Sequence, residues 1–295
     1  MTADTADLSP ALCAWRARGR MLSVSGREVF VVDDGRANAG LVLLHGFPTS
    51  SHDWSRVWDA LSARFRVVTL DFPGFGFSAK PADYSYSLLE QADIVEGALR
   101  QVGVGRAHVV AHDMGTSVLT ELLARRAAGL LHFEIDRVVL MNGSVHAELA
   151  HLTLAQQLLR RRWLGPLFAR LASAATYKLQ VRRILGRRGA LSDADLEDQF
   201  ALIRYRDGHL RMPAIMGYYA ERIRFRRRWI GALETLDRPA LVLWGRRDPV
   251  AVPAIAQAVA RETPGAELGW MDELGHYPQL EDPPRVAAEL VRFLA

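Results

Sequence analysis

The chain contains one cysteine, Cys13, among its 295 residues, so it cannot form an internal disulfide. Because disulfides mark oxidising compartments, we expect a cytoplasmic location. No apolar run approaches the ~20 residues that a membrane-spanning helix needs. Residues 1–10 are polar and acidic, and they lack the apolar centre of a secretory signal peptide. The sequence also lacks repeats, low-complexity tracts and nucleic-acid-binding motifs, so we expect no nucleic acid partner.

Charge is unevenly distributed along the chain. Hydrophobic residues make up 49% and charged residues 24%, which is typical of a globular protein with one sizeable core. The net charge is only +4, but residues 145–232 hold 17 basic and 7 acidic side chains, and the rest of the chain is acidic. Clustered arginine attracts anionic lipid surfaces. A solvated helix face is the commoner explanation of such a pattern, and contact with a membrane surface is kept as the alternative.

Short apolar runs alternate with segments of helical periodicity over most of the chain. Strand patterns occur at residues 41–44, 65–70, 109–112, 137–141, 240–244 and 266–270, and helices are predicted between them. Residues 22–25 and 28–32 form a predicted hairpin. Continuous apolar strands separated by helices are typical of a parallel sheet that is covered on both faces. The predicted fold class is therefore α/β.

This alternation stops between residues 145 and 232, where every pattern is helical and no strand is predicted. We interpret these residues as a helical lid inserted into the sheet domain and call them the lid segment. The sheet domain then comprises residues 1–144 and 233–295. In parallel sheets, active sites lie beyond the carboxyl ends of the strands. We therefore expect the lid segment to cover that edge.

Asp113 occupies an unusual position between a strand and a helix. Residues 109–112 form a predicted buried strand, a helix follows, and the small residues Ala111 and Gly115 flank the aspartate. Small residues around a tight strand-to-helix turn are typical of the nucleophile elbow G-x-S-x-G, here with aspartate in the place of serine. A carboxylate at this point can attack carbon and form an ester with the enzyme. The alternative is that Asp113 only caps the helix, since aspartate is favoured there.

Two further residues complete a possible catalytic triad. Asp248 and His276 each follow a predicted strand, and the chain order Asp113, Asp248, His276 is the nucleophile, acid, base order of the α/β-hydrolase triad. A carboxylate on the far nitrogen of a histidine fixes its tautomer, so that the histidine can deprotonate water. On local grounds alone, Asp248 would be explained as a turn residue before Pro249.

Residues 45–48, His-Gly-Phe-Pro, supply a possible oxyanion hole. In this fold, the hole uses the amide after the nucleophile and an amide from the loop after the third strand. These positions correspond to Met114 and Phe47. His45 is expected to be structural.

The elbow at His112-Asp113, residues 45–48 and the glycine-punctuated loop 71–78 together resemble the α/β-hydrolase superfamily, from about residue 20 to the end of the chain. Within it, they are similar to the branch of epoxide hydrolases and haloalkane dehalogenases. Residues 225–229 and 276–283 look closest to the mesoderm-specific transcript group. The resemblance implies a mostly parallel, doubly covered sheet with an inserted lid, and an Asp-His-Asp hydrolase that needs no metal or cofactor. It also implies a small apolar organic substrate, with water as co-substrate.

The choice of leaving group separates two enzyme hypotheses. Haloalkane dehalogenases usually place side-chain N–H donors after the nucleophile and after His-Gly, whereas Met114 and Phe47 donate nothing from their side chains. Met114 also departs from the tryptophan that many epoxide hydrolases have there. Epoxide hydrolases resemble one another in using lid tyrosines as proton donors. The candidates for substrate binding or proton donation are Tyr218, Tyr219, Tyr177 and Tyr205. We expect epoxide hydrolysis to a diol, with haloalkane dehalogenation or non-catalytic binding as alternatives.

Overall fold

A computed structural model describes residues 8–35, 39–143 and 145–295 and contains an eight-stranded sheet. The strands are β1 (Gly19–Val24), β2 (Arg27–Asp33), β3 (Gly40–Leu44), β4 (Arg66–Leu70), β5 (Arg106–His112), β6 (Glu134–Met141), β7 (Ala240–Gly245) and β8 (Glu267–Met271). Their spatial order is β1-β2-β4-β3-β5-β6-β7-β8. Strand β2 pairs antiparallel with β1 and β4, and the other neighbours are parallel. The predicted fold class is confirmed.

Fourteen α-helices occur in the described part of the chain. They are α1 (Pro10–Ala17), α2 (Ser55–Ser62), α3 (Leu88–Gln101), α4 (Met114–Ala127), α5 (Leu154–Leu159), α6 (Leu164–Arg170), α7 (Ala174–Ile184), α8 (Asp193–Arg204), α9 (Met212–Ile215), α10 (Tyr218–Arg224), α11 (Arg226–Glu234), α12 (Pro253–Glu262), α13 (Pro278–Glu281) and α14 (Pro283–Leu294). Among the same residues, two 3-10 segments cover Ser51–Trp54 and Tyr205–Arg211, and the second is interrupted by positive φ angles at Arg206 and Asp207.

The central strands are buried on both faces, which explains their uninterrupted apolar sequences. Every residue of β3 and of β7 is buried. Because side chains alternate along a strand, Val42 and Leu44 enter one core cluster, whereas Leu41 and Leu43 enter the other. The first cluster includes residues of α3, α4 and α12, and the second includes residues of α1, α2 and α14. Each face of the sheet is thus covered by its own helices.

The lid segment lies between β6 and β7 and contains α5 to α10 and most of α11, with no strand among its described residues. Helix α11 packs against α4 through Glu121, a side chain that is only 2% exposed. Glu121 accepts hydrogen bonds from Arg228 Nε at 2.8 Å and from Trp229 Nε1 at 2.8 Å. This buried contact ties the end of the segment to the sheet domain. The division of the chain into a sheet domain and a lid stays a prediction.

The surface of α6 combines apolar and basic side chains. Trp163, just before this helix, is 82% exposed, and Leu167 and Leu171 are 55% and 71% exposed. Arg162 lies next to Trp163, with its guanidinium 5.2 Å from the ring centre. No helix in the described ranges is long and apolar enough to cross a membrane. Contact of this surface with a membrane stays an open alternative.

Candidate active site

Asp113 lies at the sharp turn between β5 and α4, with φ 48° and ψ −113°. A positive φ is costly for a residue with a Cβ, so the surrounding structure must hold it in place. The turn fits because its neighbours are small: a Cβ at Gly143 would lie 2.2 Å from the Asp113 carbonyl oxygen. A Cβ at Gly115 would lie 2.7 Å from the carbonyl oxygen of His45. The Asp113 side chain makes no capping hydrogen bond to α4, so helix capping does not explain this residue.

The structure brings Asp113, Asp248 and His276 together, and each is 5% exposed or less. The His276 Nδ1 atom lies 2.8 Å from Asp248 Oδ2, and its Nε2 atom lies 3.7 Å from Asp113 Oδ2. Burial by itself lowers the His276 pKa, but the carboxylates of Asp248 and Asp113 outweigh burial and raise that pKa to about 9. The imidazole is therefore placed between an orienting carboxylate and the candidate nucleophile.

Asp248 is held in place by backbone and side-chain donors. The backbone N–H groups of Val250 and Ala251 donate to its Oδ1 atom at 2.7 and 3.0 Å. Asn142 Nδ2 donates to Oδ2 at 2.8 Å, and Asn142 Oδ1 accepts the Gly245 N–H at 3.0 Å. The Asp248 carboxylate therefore has both roles: its Oδ1 atom accepts the backbone N–H groups of the turn, and its Oδ2 atom contacts His276.

The loop after β3 reaches the other oxygen of the candidate nucleophile. The Phe47 N–H donates to Asp113 Oδ1 at 2.8 Å. Met114 is buried at the start of α4, directly after Asp113. His45 serves this loop structurally, since its Nε2 accepts the Phe72 N–H at 3.1 Å and its Nδ1 donates to the Gly46 carbonyl at 2.9 Å. Burial lowers the His45 pKa, which keeps the ring neutral.

Two cavities meet this site. The larger has a volume of about 120 Å³ and lies between the sheet edge and α5 to α9. Its walls include Phe47, His276, Tyr177 and Tyr277. The apolar side chains in the lining include Leu159, Phe168, Val181, Ile184, Phe200, Ile203, Met212 and Val250, and the other polar ones are Thr153, Gln156, Ser173, Thr176, Gln180 and His209. The smaller, of about 10 Å³, is lined by Asp113, Tyr218 and Arg222 among others. For scale, an apolar cavity of about 150 Å³ can hold benzene, and about 10–15 Å³ holds one water.

The four predicted tyrosines occupy different places. Tyr218 is buried, its ring centre lies 5.8 Å from that of Phe47, and it lines the smaller cavity with Asp113. Tyr177 lines the larger cavity. The Tyr219 hydroxyl donates to the Ala147 carbonyl at 2.8 Å, and this residue lines neither cavity.

Tyr205 is not brought to the site either. Its ring packs edge-on against Phe77, with centres 5.2 Å apart, and neither cavity includes it. The side chain belongs to the core cluster on the opposite face of the sheet from Tyr218, which explains its distance from the site.

Residues 41–283 match the family model described as the α/β hydrolase fold. The chain belongs to the α/β-hydrolase family. This α/β hydrolase is 40% identical to the LipZ protein of Mycobacterium tuberculosis over 97% of this chain and 99% of that protein. It is 37% identical to the mesoderm-specific transcript protein of Mus musculus over 94% of this chain and 85% of that protein. The family resemblance expected from the sequence is confirmed.

Solved structures share the fold of this α/β hydrolase at lower identity. The haloalkane dehalogenase DbeA from Bradyrhizobium elkani superposes with a TM-score of 0.79 at 23% identity, covering 94% of this chain and 97% of that one. The epoxide hydrolase CorEH superposes with a TM-score of 0.76 at 18% identity, covering 93% and 97%. At these identities the likeness shows the fold alone.

Three residues of this α/β hydrolase stand at the site without having been predicted. Asn142 directly follows the predicted strand 137–141, and its position after a buried strand places it at the same sheet edge. Tyr277, next to His276, lines the larger cavity. Arg222 is 5% exposed, with its Nε donating to Ser117 Oγ at 2.9 Å and its guanidinium 4.6 Å from the Tyr218 ring centre. No feature of the sequence distinguishes Arg222 from the other arginines of the lid segment, so its place at the site could not be predicted.

Across the described residues, no group of three or more His, Cys, Asp or Glu side chains is arranged to hold a metal ion.

Proposed function

We propose that this α/β hydrolase opens small apolar epoxides to diols through an ester formed on Asp113. The observation that carries the proposal is the placement of the Asp113 carboxylate. One of its oxygens accepts the Phe47 N–H at 2.8 Å, and the other lies 3.7 Å from His276 Nε2. This carboxylate already accepts a hydrogen bond from a backbone amide and faces an oriented histidine. It is therefore suited to form an ester and to have that ester hydrolysed.

In the first step, Asp113 Oδ2 attacks an epoxide carbon. A bond forms between Oδ2 and that carbon, the ring C–O bond breaks, and its electron pair goes to the ring oxygen, which must receive a proton. The remaining Oδ1 becomes the carbonyl oxygen of the ester and keeps its hydrogen bond from Phe47. The polarised ester carbonyl is thereby prepared for the second step.

In the second step, water attacks the Asp113 carbonyl carbon while His276 Nε2 takes its proton. The developing oxyanion lies where Phe47 N–H already points, and we assign the Met114 N–H as the second donor. Collapse breaks the bond between Cγ and Oδ2, so the diol leaves with the old carboxylate oxygen and receives a proton from His276. The new oxygen on Asp113 therefore comes from water, and the second proton of that water returns to the group that protonated the ring oxygen, which restores the Asp113 carboxylate.

Among the lid tyrosines, Tyr218 is the best proton donor for the ring oxygen. It lines the cavity beside Asp113. Among the residues that the structure describes, no acceptor takes the proton of its hydroxyl in a hydrogen bond, so that proton is free for this cavity. Burial raises the Tyr218 pKa well above its ordinary value and keeps the hydroxyl protonated. The Tyr219 proton is committed to Ala147.

Haloalkane dehalogenation is the second candidate, and Arg222 favours it. This buried guanidinium lines the smaller cavity together with Asp113, and no carboxylate of the described residues forms an ion pair with it. A halide leaves as an anion and needs donors but no proton. The cavity has room for about one water molecule.

A substrate panel in heavy-oxygen water tests both candidates and the covalent step. The parent enzyme should release diol from small aryl or alkyl epoxides, and single turnover should place the label in Asp113. Asp113→Asn should abolish turnover, whereas Asp59→Asn, a change at a carboxylate that is 82% exposed, should not. Halide release without diol would favour the second candidate. An unlabelled Asp113 after confirmed turnover would exclude the ester, and a panel with no product would favour a binding protein.

A further inference from the structure

A buried carboxylate that the proposed mechanism does not use lies behind the larger cavity. Asp53, in the 3-10 helix Ser51–Trp54, is 1% exposed. The Thr49 hydroxyl donates to its Oδ2 atom, and Gln199 Nε2 donates to its Oδ1 atom at 3.4 Å. Within the described ranges, no Lys, Arg or His forms an ion pair with this carboxylate. Its charge is therefore balanced by hydrogen bonds from neutral groups.

One of these two donors also contacts a tyrosine of the cavity wall. The Tyr177 hydroxyl donates to Gln199 Oε1 at 3.0 Å. Tyr177 lines the larger cavity. Asp53 thus stands at the end of a short hydrogen-bond chain that runs through Gln199 of α8 to Tyr177 of α7.

The carboxylate fixes the direction of this chain. An ionised carboxylate can only accept, so Gln199 must turn its amide nitrogen toward Asp53 and its oxygen toward Tyr177. The Tyr177 hydroxyl has a single proton, which goes to Gln199. The Tyr177 oxygen therefore has only lone pairs to offer to another partner.

We propose that Asp53, acting through Gln199, makes Tyr177 a hydrogen-bond acceptor toward the cavity, so that the enzyme selects substrates that carry a hydroxyl or N–H group. The proposal rests on the proposed function only in taking this cavity as the substrate pocket. It makes Tyr177 a substrate-binding residue and removes it from the proton donors. A cavity wall with this fixed acceptor accommodates a small molecule with one polar hydrogen.

The protonation states that this requires are available in mildly alkaline solution. Burial raises the Asp53 pKa to about 7, nearby Asp71 adds to the rise, and the hydrogen bonds from Thr49 and Gln199 together with the charge of His276 oppose it. The carboxylate is therefore ionised at about pH 8.5. Burial also raises the Tyr177 pKa well above the ordinary value, so its hydroxyl stays protonated.

The test compares two ring compounds of nearly equal shape. Pyrrole has an N–H donor, whereas furan has a weak acceptor in the same place. Their dissociation constants are measured by NMR titration of the whole protein at about pH 8.5. We expect the parent to bind pyrrole about fivefold to tenfold more tightly than furan, the difference that one hydrogen bond provides. Neither probe contains an epoxide or a halogen, so failure of the Asp113 mechanism would not change this result.

Two variants remove the constraint on the direction of the Tyr177 hydrogen bond without removing Tyr177. In Asp53→Asn, the new amide can donate a hydrogen bond to Gln199. The Gln199 side-chain amide can then exchange the positions of its oxygen and nitrogen, which frees the Tyr177 proton for the cavity. In Gln199→Met, Tyr177 loses its acceptor with little change in side-chain length. Both should reduce the pyrrole preference toward parity, whereas Asp59→Asn should keep the parental ratio. Melting curves show which variants are folded, and either folded variant suffices.

A parental protein that binds furan as tightly as pyrrole would overturn the proposal. So would folded Asp53→Asn or Gln199→Met variants that keep the full preference for pyrrole.

Discussion

Replacing Asp113 by asparagine is expected to lower the pKa of His276 strongly. The substitution keeps the shape of the side chain and removes one negative charge at 3.7 Å from Nε2. At an effective dielectric constant of ~20, that charge stabilises the imidazolium by about 4 kcal/mol, which corresponds to about three pKa units. The His276 pKa should therefore fall from about 9 to ~6. Asp248, at 2.8 Å from Nδ1, remains in both proteins.

This change imitates what the proposed reaction does to Asp113. An ester is neutral, so alkylation removes the same charge that Asp113→Asn removes. In the free enzyme, a His276 pKa of about 9 means that the imidazole is protonated at neutral pH and is no base. Once the ester has formed, the lower pKa makes the imidazole neutral in time for water activation. Alkylation of Asp113 therefore converts His276 into a base before the hydrolysis step that needs it.

The pKa is measured by following the ring Hε1 signal of His276 in NMR titrations of the parent and of Asp113→Asn. A His276→Gln variant assigns the signal among the nine histidines of the chain. Asp59→Asn removes an exposed charge and should leave the titration unchanged. A fall of less than one unit in Asp113→Asn would refute the electrostatic coupling on which this reasoning depends.

Three further outcomes are expected. Tyr218→Phe should slow alkylation by an epoxide by ~10²–10⁴-fold, as loss of general-acid help does, with Tyr205→Phe as an unaffected control in the same quenched-flow assay. His276→Gln should still alkylate but accumulate the ester, which mass spectrometry of the protein detects as an adduct of substrate mass; parental turnover in this variant would contradict the triad. Glu121→Leu removes the acceptor of Trp229 and two arginines, so the free energy of unfolding should fall by ~3–5 kcal/mol in denaturant titration, and an unchanged value would mean that the buried contact is not stabilising.

The strands and helices of the sheet domain could be predicted because their signals are local. The run 41–44 is apolar throughout, and β3 covers Gly40–Leu44 with every residue buried. The run 240–244 likewise became β7, Ala240–Gly245. A strand covered on both faces needs apolar side chains at each position, so the pattern leaves little choice. The short helix α13 was not predicted, since its four residues are too few for a periodic pattern.

The contacts of the lid segment could not be predicted in the same way. The four tyrosines of this segment carry the same hydroxyl group and could each donate a proton. In the structure, however, Tyr218 lines the cavity beside Asp113, whereas Tyr205 packs on Phe77. Which tyrosine faces the site depends on how short helices pack on a distant sheet edge. The Tyr218 ring packs against Phe47, which is far away in the chain, and no local pattern encodes this contact.

The sequence by itself determined the sheet, the small residues around Asp113 and the chain order of Asp113, Asp248 and His276, because strand burial and turn sterics act over a few residues. Only the tertiary structure decided which protons face the cavities. The Asn142 contact to Asp248, the committed hydroxyl of Tyr219 and the directions imposed by Asp53 all depend on pairs of groups far apart in the chain. The direction of a hydrogen bond depends on both partners, since each hydroxyl proton goes to a single acceptor. Only the folded chain brings that acceptor close to the donor.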